Sequence, residues 1–244
     1  MVSEPDMNHG MSLCTSRWAL IALCFVAPLS FACRSADPTS SSPAAELQKP
    51  KVDPSAVDFN DMVSGQAPVG FSSARTGAGE PGVWLVKDDG TSNRVLAQVS
   101  EDETDKRFPL CVFDGFSAAD VNLSCRFKTI DGGVDQAAGL VARYSDEQNY
   151  YVLRANALEG NVRFYHFIAG VRTQLGSAKL EISGEEWHDL RLNARGSHFE
   201  VFLDGNLLFA VDDSAISTAG KVGVWTKADS VTWFDDLRFT AKMP

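Results

Sequence analysis

Arginine and tyrosine side chains gather on one predicted face of a β-meander in the middle of this chain. Four short runs rich in β-branched and aromatic residues are separated by turn-forming Gly, Asn, Asp and Ser residues, which is typical of antiparallel strands. The predicted strands are Gly139–Tyr144, Asn149–Ala155, Val162–Ile168 and Val171–Gly176. Successive side chains of a strand point to opposite faces, so the three hairpin registers can be compared. They agree in collecting one set: Arg143, Tyr150, Arg154, Arg163, Tyr165, Arg172 and Gln174.

These side-chain types suit the recognition of sugars. Flat aromatic rings stack on sugar C–H faces, and guanidinium groups donate paired hydrogen bonds to neighbouring hydroxyls or to carboxylates. The predicted registers place Arg143 opposite Tyr150 and Arg154 opposite Arg163. The predicted ligand contacts are Arg143, Tyr150, Arg154, Arg163, Tyr165 and Arg172. The alternative is that this face is the solvent side of a half-buried sheet, which is common in antiparallel structures.

The first 33 residues are predicted to direct export. The apolar run Ala19–Ala32 follows Arg17, is short for a membrane span and ends in small residues, as secretory signals do. Cys33 comes directly after Ala32, which resembles a bacterial lipoprotein box, although Ser30 stands where such boxes usually carry Leu. We expect lipidation at Cys33 and a place in the bacterial periplasm or at the cell surface. Plain secretion after cleavage near the same position is the alternative.

Residues 34–56 and 57–244 differ in composition. The first segment is rich in Ser, Pro and Ala and lacks aromatic residues, so it reads as a disordered tether. The second is long enough for one core. Acidic residues outnumber basic ones, 32 against 22, which argues against a nucleic-acid partner. We expect the chain to contact a membrane only through the lipid anchor. The sequence leaves the oligomeric state open.

Short strands and turn signals continue through the second segment. This pattern favours a two-sheet antiparallel sandwich or a barrel over helical enzymes and dinucleotide-binding folds. Pairing Phe108–Phe113 with Val121–Phe127 about Ala118 sets Cys111 opposite Cys125. Opposed positions in a sheet lie near disulfide distance, and an exported protein folds in an oxidising compartment. We therefore predict a Cys111–Cys125 disulfide, with two buried free thiols as the alternative.

Several segments resemble, in order, the concanavalin A-like and laminin-G-like jelly-roll superfamily. They are Gly-Leu-Val-x-Arg-Tyr, Asn-Tyr-Tyr-Val-x-Arg-Ala-Asn, Glu-Trp-His-x-Leu-Arg, Phe-x-Val-Phe-Leu-Asp-Gly, Gly-Lys-Val-Gly-Val-Trp-Thr and Phe-Asp-Asp. More narrowly, the chain is similar to bacterial exported domains grouped with family 16 glycoside hydrolases and 3-keto-disaccharide hydrolases. The resemblance spans about Asp58 to Phe239 and implies an all-β, two-sheet jelly roll, whose members commonly bind glycans along the concave sheet.

The catalytic motifs of these relatives are not recognisable in the chain. The Glu-x-Asp-x-x-Glu strand of lytic family 16 enzymes is absent, and Gln136-Ala137-Ala138-Gly139 stands where a 3-keto-glycoside hydrolase would carry Gly-Asn-Ser-Gly. We expect no required cofactor. The resemblance does imply a structural Ca²⁺ held by Asp235 and Asp236, with Asp58 or Asp61 as a partner, since hard oxygen ligands suit Ca²⁺. The alternative is that one aspartate faces solvent and the other accepts a turn hydrogen bond.

Three hypotheses for function follow. The first is an exported, tethered domain that binds a glycan or oligosaccharide and has no catalytic machinery of its own. The second is a glycoside-active enzyme of the 3-keto-disaccharide hydrolase type. The third is a structural or protein-interaction module, since one fold hosts many functions.

Overall fold

The computed structural model describes residues 55–241, and every regular element in that range is a β-strand. In chain order the strands are β1 (Ala56–Val57), β2 (Phe71–Gly77), β3 (Trp84–Asp88), β4 (Arg94–Gln98), β5 (Arg107–Ala118), β6 (Val121–Asp131), β7 (Ala137–Asp146), β8 (Asn149–Asn156), β9 (Asn161–Ile168), β10 (Val171–Lys179), β11 (His188–Arg195), β12 (His198–Leu203), β13 (Asn206–Asp212), β14 (Gly220–Trp225) and β15 (Val231–Ala241). The predicted all-β class is confirmed.

The strands form two antiparallel sheets. The eight-stranded sheet has the order β13-β12-β11-β6-β15-β4-β3, with β1 added against β15, and the seven-stranded sheet has the order β10-β9-β8-β7-β14-β5-β2. Many neighbours in these orders are distant in sequence, as in a jelly roll. The predicted two-sheet sandwich is therefore confirmed.

One hydrophobic core lies between the two sheets. Alternate residues of each strand point into it, such as Leu190 and Leu192 of β11 and Leu140 of β7. A second cluster of buried apolar residues is separate from this core. It lies on the outer side of the seven-stranded sheet, because its members alternate along the strands with those of the core, as Val152 of β8 does with Leu153.

The predicted meander corresponds to strands β7 to β10, and most of its register is confirmed. Gly139 pairs with Arg154, and Arg154 pairs with Arg163. Phe167 pairs with Arg172 across the two-residue turn at Ala169–Gly170. Period-two alternation was therefore sufficient to place most of these side chains on the correct face.

The predicted pairing of Arg143 with Tyr150 is wrong. The register shifts between Ala142 and Asp146 of β7, and Arg143 itself has a left-handed φ of 51°. Extra residues in one strand reverse the alternation beyond them, so Arg143 points into the sandwich. Gly220 on β14 accommodates this bulge, because a Cβ at Gly220 would clash with the Arg143 backbone.

The predicted Cys111–Cys125 disulfide is also wrong. Both residues are buried free thiols within the described part of the chain. Strand β5 lies between β14 and β2, whereas β6 lies between β11 and β15 in the other sheet. Each strand already has two hydrogen-bonded neighbours, so the short turn after Ala118 carries the chain across the core instead of forming a hairpin. Burial raises the pKa of both thiols.

Residues 55–241 contain no helix with the length and hydrophobicity of a membrane span. The predicted signal segment, Cys33 and nearly all of the predicted tether lie outside the described residues.

Candidate functional site

The outer side of the seven-stranded sheet is an aromatic surface, and it is buried. We call it the aromatic face. Its buried members are Phe108, Leu110, Val112, Ala137, Val141, Tyr150, Val152, Tyr165, Phe167 and Trp225. The Phe108 ring stacks on Trp225 with 5.6 Å between centroids, and Tyr150 stacks on Phe167 at 4.7 Å. The alternative of a wet sheet side is therefore wrong, since this face forms a second core.

Arg172 of β10 lies on top of the aromatic face. Its guanidinium carbon is 5.0 Å from the Phe108 ring centroid and 4.8 Å from that of Tyr165. Such a position is favoured by attraction between a cation and the π-face of a ring. Arg172 is exposed, and none of the ion pairs within residues 55–241 includes it. Its N–H groups are therefore available to a ligand.

A buried polar network borders the same face at the turn between β8 and β9. Arg154 donates to both carboxylate oxygens of Glu159, at 3.2 and 2.9 Å, and to Oδ1 of Asn161 at 2.6 Å. Nη1 of Arg163 lies 3.2 Å from the same carboxylate. The hydrogen bond from Arg154 is the main reason that the pKa of Glu159 falls to about 2. Arg154 is fully buried, so its role in the fold is to hold this turn.

Lys227 extends this network along the face. Its Nζ donates to Oδ1 of Asp105 at 2.5 Å and to Oδ2 of Asp135 at 2.6 Å. Asp135 also accepts a hydrogen bond from the Asn156 amide. Burial lowers the pKa of Lys227, but its two carboxylate partners outweigh that effect and raise it above the ordinary value. Desolvation raises the pKa of Asp135.

The predicted contact residues differ in accessibility. Tyr150 is fully buried, and its hydroxyl lies 2.8 Å from Oγ1 of Thr76. Tyr165 is only 3% exposed. Arg163 is half-buried, and a hydrogen bond with Tyr165 raises its pKa. A ligand on this face would therefore meet Arg172, Arg163 and the rim of the network before any ring.

Arg143 is the predicted contact that lies elsewhere. Its guanidinium is 5.0 Å from the Phe199 ring centroid inside the sandwich. It donates to three backbone carbonyls, those of Ala119 at 2.8 Å, Ile216 at 2.6 Å and Gly196 at 2.5 Å. Arg143 thus joins three loops at one end of the molecule, on the core side of its sheet.

The predicted calcium ligands do not converge. Among residues 55–241, no group of three or more His, Cys, Asp or Glu side chains is placed to hold a metal ion. Asp235 is buried and accepts a hydrogen bond from Asn93 at 3.0 Å. Asp236 accepts from Arg238, and Asp58 caps the backbone N–H of Asn60. A structural Ca²⁺ at these residues stays a prediction.

Several residues of the face were missed at the sequence level. Lys227 meets Asp105 and Asp135 across separations of 122 and 92 residues, and no local pattern signals such a contact. Phe108 and Trp225 carry a weak signal, because each belongs to a predicted strand and alternates with a core residue, Cys111 in one and Val224 in the other. The predicted in-and-out pattern of those strands would have placed both rings outside the core.

The arrangement combines donors and acceptors at a shielded aromatic surface. The carboxylates of Asp105, Asp135 and Glu159 are each ion-paired. Guanidinium groups above flat rings are suited to holding a polyhydroxylated or anionic ligand by hydrogen bonds and stacking.

The chain resembles solved structures. A carbohydrate-binding module, CBM66 from Bacillus subtilis, matches 70% of this chain and 96% of its own length, with 21% identity and a TM-score of 0.60. A protein of unknown function with a galectin-like fold from Bacillus subtilis matches 68% of this chain and 88% of its own length, with 9% identity and a TM-score of 0.51. No protein-family model and no curated protein matches the sequence. These likenesses show the fold of the chain alone, an antiparallel jelly-roll sandwich.

Proposed function

We propose that this chain is a carbohydrate-binding jelly-roll domain that holds a glycan at Arg172 and at the rim of the aromatic face, without catalytic machinery of its own. The observation that carries the proposal is the exposed guanidinium of Arg172, held above the rings of Phe108 and Tyr165. The carbohydrate-binding module among the similar structures supports it.

The environment of Arg172 supports a sugar ligand over a simple ion. Glu159 and Asp105 are exposed carboxylates, and Arg172 and the half-buried Arg163 are cations on the same side of the sheet. Sugar hydroxyls can donate hydrogen bonds to the carboxylates and accept hydrogen bonds from the cations. A small anion would be repelled by the carboxylates, and a small cation would be repelled by the cationic side chains. The rings below Arg172 limit the loss of side-chain freedom when it binds, because they already restrict its position.

Glycan-array screening of the whole chain tests this proposal. We expect binding to at least one glycan, and we expect Arg172→Ala to weaken it by about tenfold or more, equivalent to about 1.4 kcal/mol. Arg126→Ala is the matched control, because Arg126 also lies over an aromatic ring, that of Trp187 at 4.8 Å, but on the other sheet. Binding that is equally strong in wild type and Arg172→Ala would place the ligand elsewhere and contradict the proposal.

We also propose that the domain is exported and tethered through a lipid on Cys33. The support is the sequence alone, an apolar leader that ends in small residues before Cys33. Expression of the whole chain in a bacterial host with a fatty-acid analogue tests it. We expect the wild-type chain to incorporate the fatty-acid label and the Cys33→Ser variant to lack it. Unlabelled wild-type protein in the medium would favour plain secretion.

A further inference from the structure

A small cleft lies on the outer side of the eight-stranded sheet, where nothing has yet been assigned. Its volume is about 170 Å³, and we call it the amide cleft. Its lining residues are Asn122, Asn193, Ala194, Arg195, His198 and Glu200. Pockets for drug-sized ligands usually measure about 300–1,000 Å³. The amide cleft therefore has room for a smaller ligand.

Strand register builds the floor of the amide cleft. Asn122 of β6 pairs with Asn193 of β11, and Asn193 pairs with Glu200 of β12. The neighbours of these residues along each strand point into the core, so alternation turns all three polar side chains outward. They form one row across three adjacent strands.

The polar groups of the cleft are only partly occupied by one another. The Asn193 amide donates to Oε2 of Glu200 at 3.0 Å, and Nδ1 of His198 lies 3.0 Å from Oδ1 of Asp212. None of the ion pairs within residues 55–241 includes Arg195. The cleft thus presents a free guanidinium beside a carboxylate and two amides.

The buried Arg143 braces the turn that carries Arg195. Gly196 follows Arg195, and its carbonyl accepts from Nη2 of Arg143 while its N–H donates to Asp120 at 2.8 Å. Oδ1 of Asp120 is itself 3.6 Å from Arg143. A turn held at both its backbone groups can present a side chain with little further ordering, which favours binding. Arg143 is therefore a positioning residue for the amide cleft.

We infer that the amide cleft binds one sugar ring as a second carbohydrate site. Sugar hydroxyls both donate and accept hydrogen bonds, and the cleft offers the two kinds of partner side by side. Glu200 would repel an anion and Arg195 would repel a cation, so a neutral ring is favoured. The amide cleft and the aromatic face lie on opposite sides of the sandwich. The domain would therefore have two glycan-binding sites that two separate glycans can occupy.

The second site does not rest on the first, and an NMR titration separates them. The probes are D-glucose, D-galactose, D-mannose and D-fructose, added one at a time to the isotope-labelled whole chain, with D-glucuronate as the charged comparison. We expect at least one neutral sugar to shift the backbone amides of Asn122, Asn193 and Arg195. Arg195→Ala should weaken this response about tenfold, whereas Arg172→Ala should change it less than twofold.

Each outcome bears on the inference. Shifts confined to the aromatic face would overturn the second site and leave the first intact, and the reverse pattern would support the second site alone. Stronger binding of D-glucuronate than of every neutral sugar would overturn the neutral ligand. Arg195 is exposed, so its replacement should leave the fold unchanged, and an unaltered response in Arg195→Ala would also overturn the site.

Discussion

The two outer sides of this sandwich differ in the side chains that cover the sheet. The outer side of the seven-stranded sheet is lined with aromatic rings. Arg172 lies above these rings, and a network of ion-paired side chains borders them. The eight-stranded sheet keeps amides and charges at its surface, with a cleft among them. A ligand on the first side meets the edge of a second core, whereas a ligand on the other side can enter between side chains.

Whether an arginine of this sandwich can bind a ligand depends more on its neighbouring side chains than on the sheet face where it lies. Arg154 and Arg172 both lie on the same side of the sheet as the aromatic face. The guanidinium of Arg154, however, is hydrogen-bonded to Glu159 and Asn161. Arg143 serves the opposite side of the molecule, because its hydrogen bonds hold the turn next to Arg195. Arg172 on one side and Arg195 on the other are exposed and take part in none of the ion pairs within residues 55–241, and these two arginines carry the binding proposals.

The largest expected effect tests the brace beneath the amide cleft. Arg143→Ala should lower the free energy of unfolding by about 3–5 kcal/mol, because three backbone carbonyls lose their partner in a buried space. Chemical denaturation measures this change. Arg195→Ala, at the same end but exposed, should cost less than about 0.5 kcal/mol. Equal stability of the two variants would contradict the bracing role.

A smaller effect tests the network of the aromatic face through pH. The pKa of Glu159 is lowered from 4.5 to about 2 in the folded state. A lowered carboxyl pKa stabilises the fold above the unfolded pKa, and that stability is lost as pH falls through the folded value. Glu159→Gln should therefore cost about 1 kcal/mol at neutral pH, a modest figure because the side chain is partly exposed.

Unfolding curves measured between neutral pH and pH 2 check this prediction. The variant should lose less stability than the wild type as pH falls through that interval. Glu181→Gln is a control for a carboxylate outside the network. Parallel pH profiles for Glu159→Gln and the wild type would show that the network does not hold the turn between β8 and β9.

The smallest expected effect concerns the cysteines between the two sides. Cys111 and Cys125 are free thiols in separate sheets, so a reductant should leave the unfolding midpoint unchanged. A broken disulfide would instead cost about 2–5 kcal/mol. Alkylation after unfolding without reductant, followed by peptide mass spectrometry, should find both residues modified. A Cys111–Cys125 cross-linked peptide would contradict the sheet assignment.

Much of the fold was accessible from the sequence because it depends on local patterns. The turn at Asp204–Gly205 and the alternation of Leu190 and Leu192 predicted strands that the structure contains. Arg143 was misplaced because a bulge inserts residues without a clear local signal. The cysteines were misplaced because the choice of sheet is made by distant strands. The amide cleft was missed for the same reason, as Asn122 meets Asn193 only when β6 and β11 pair.

A crystal structure of the domain with a glycan selected on the array tests the central claim most directly. The account predicts a sugar residue hydrogen-bonded to the guanidinium of Arg172, beside Arg163 and above the ring of Tyr165. A glycan bound away from both Arg172 and the rim of the aromatic face would contradict it.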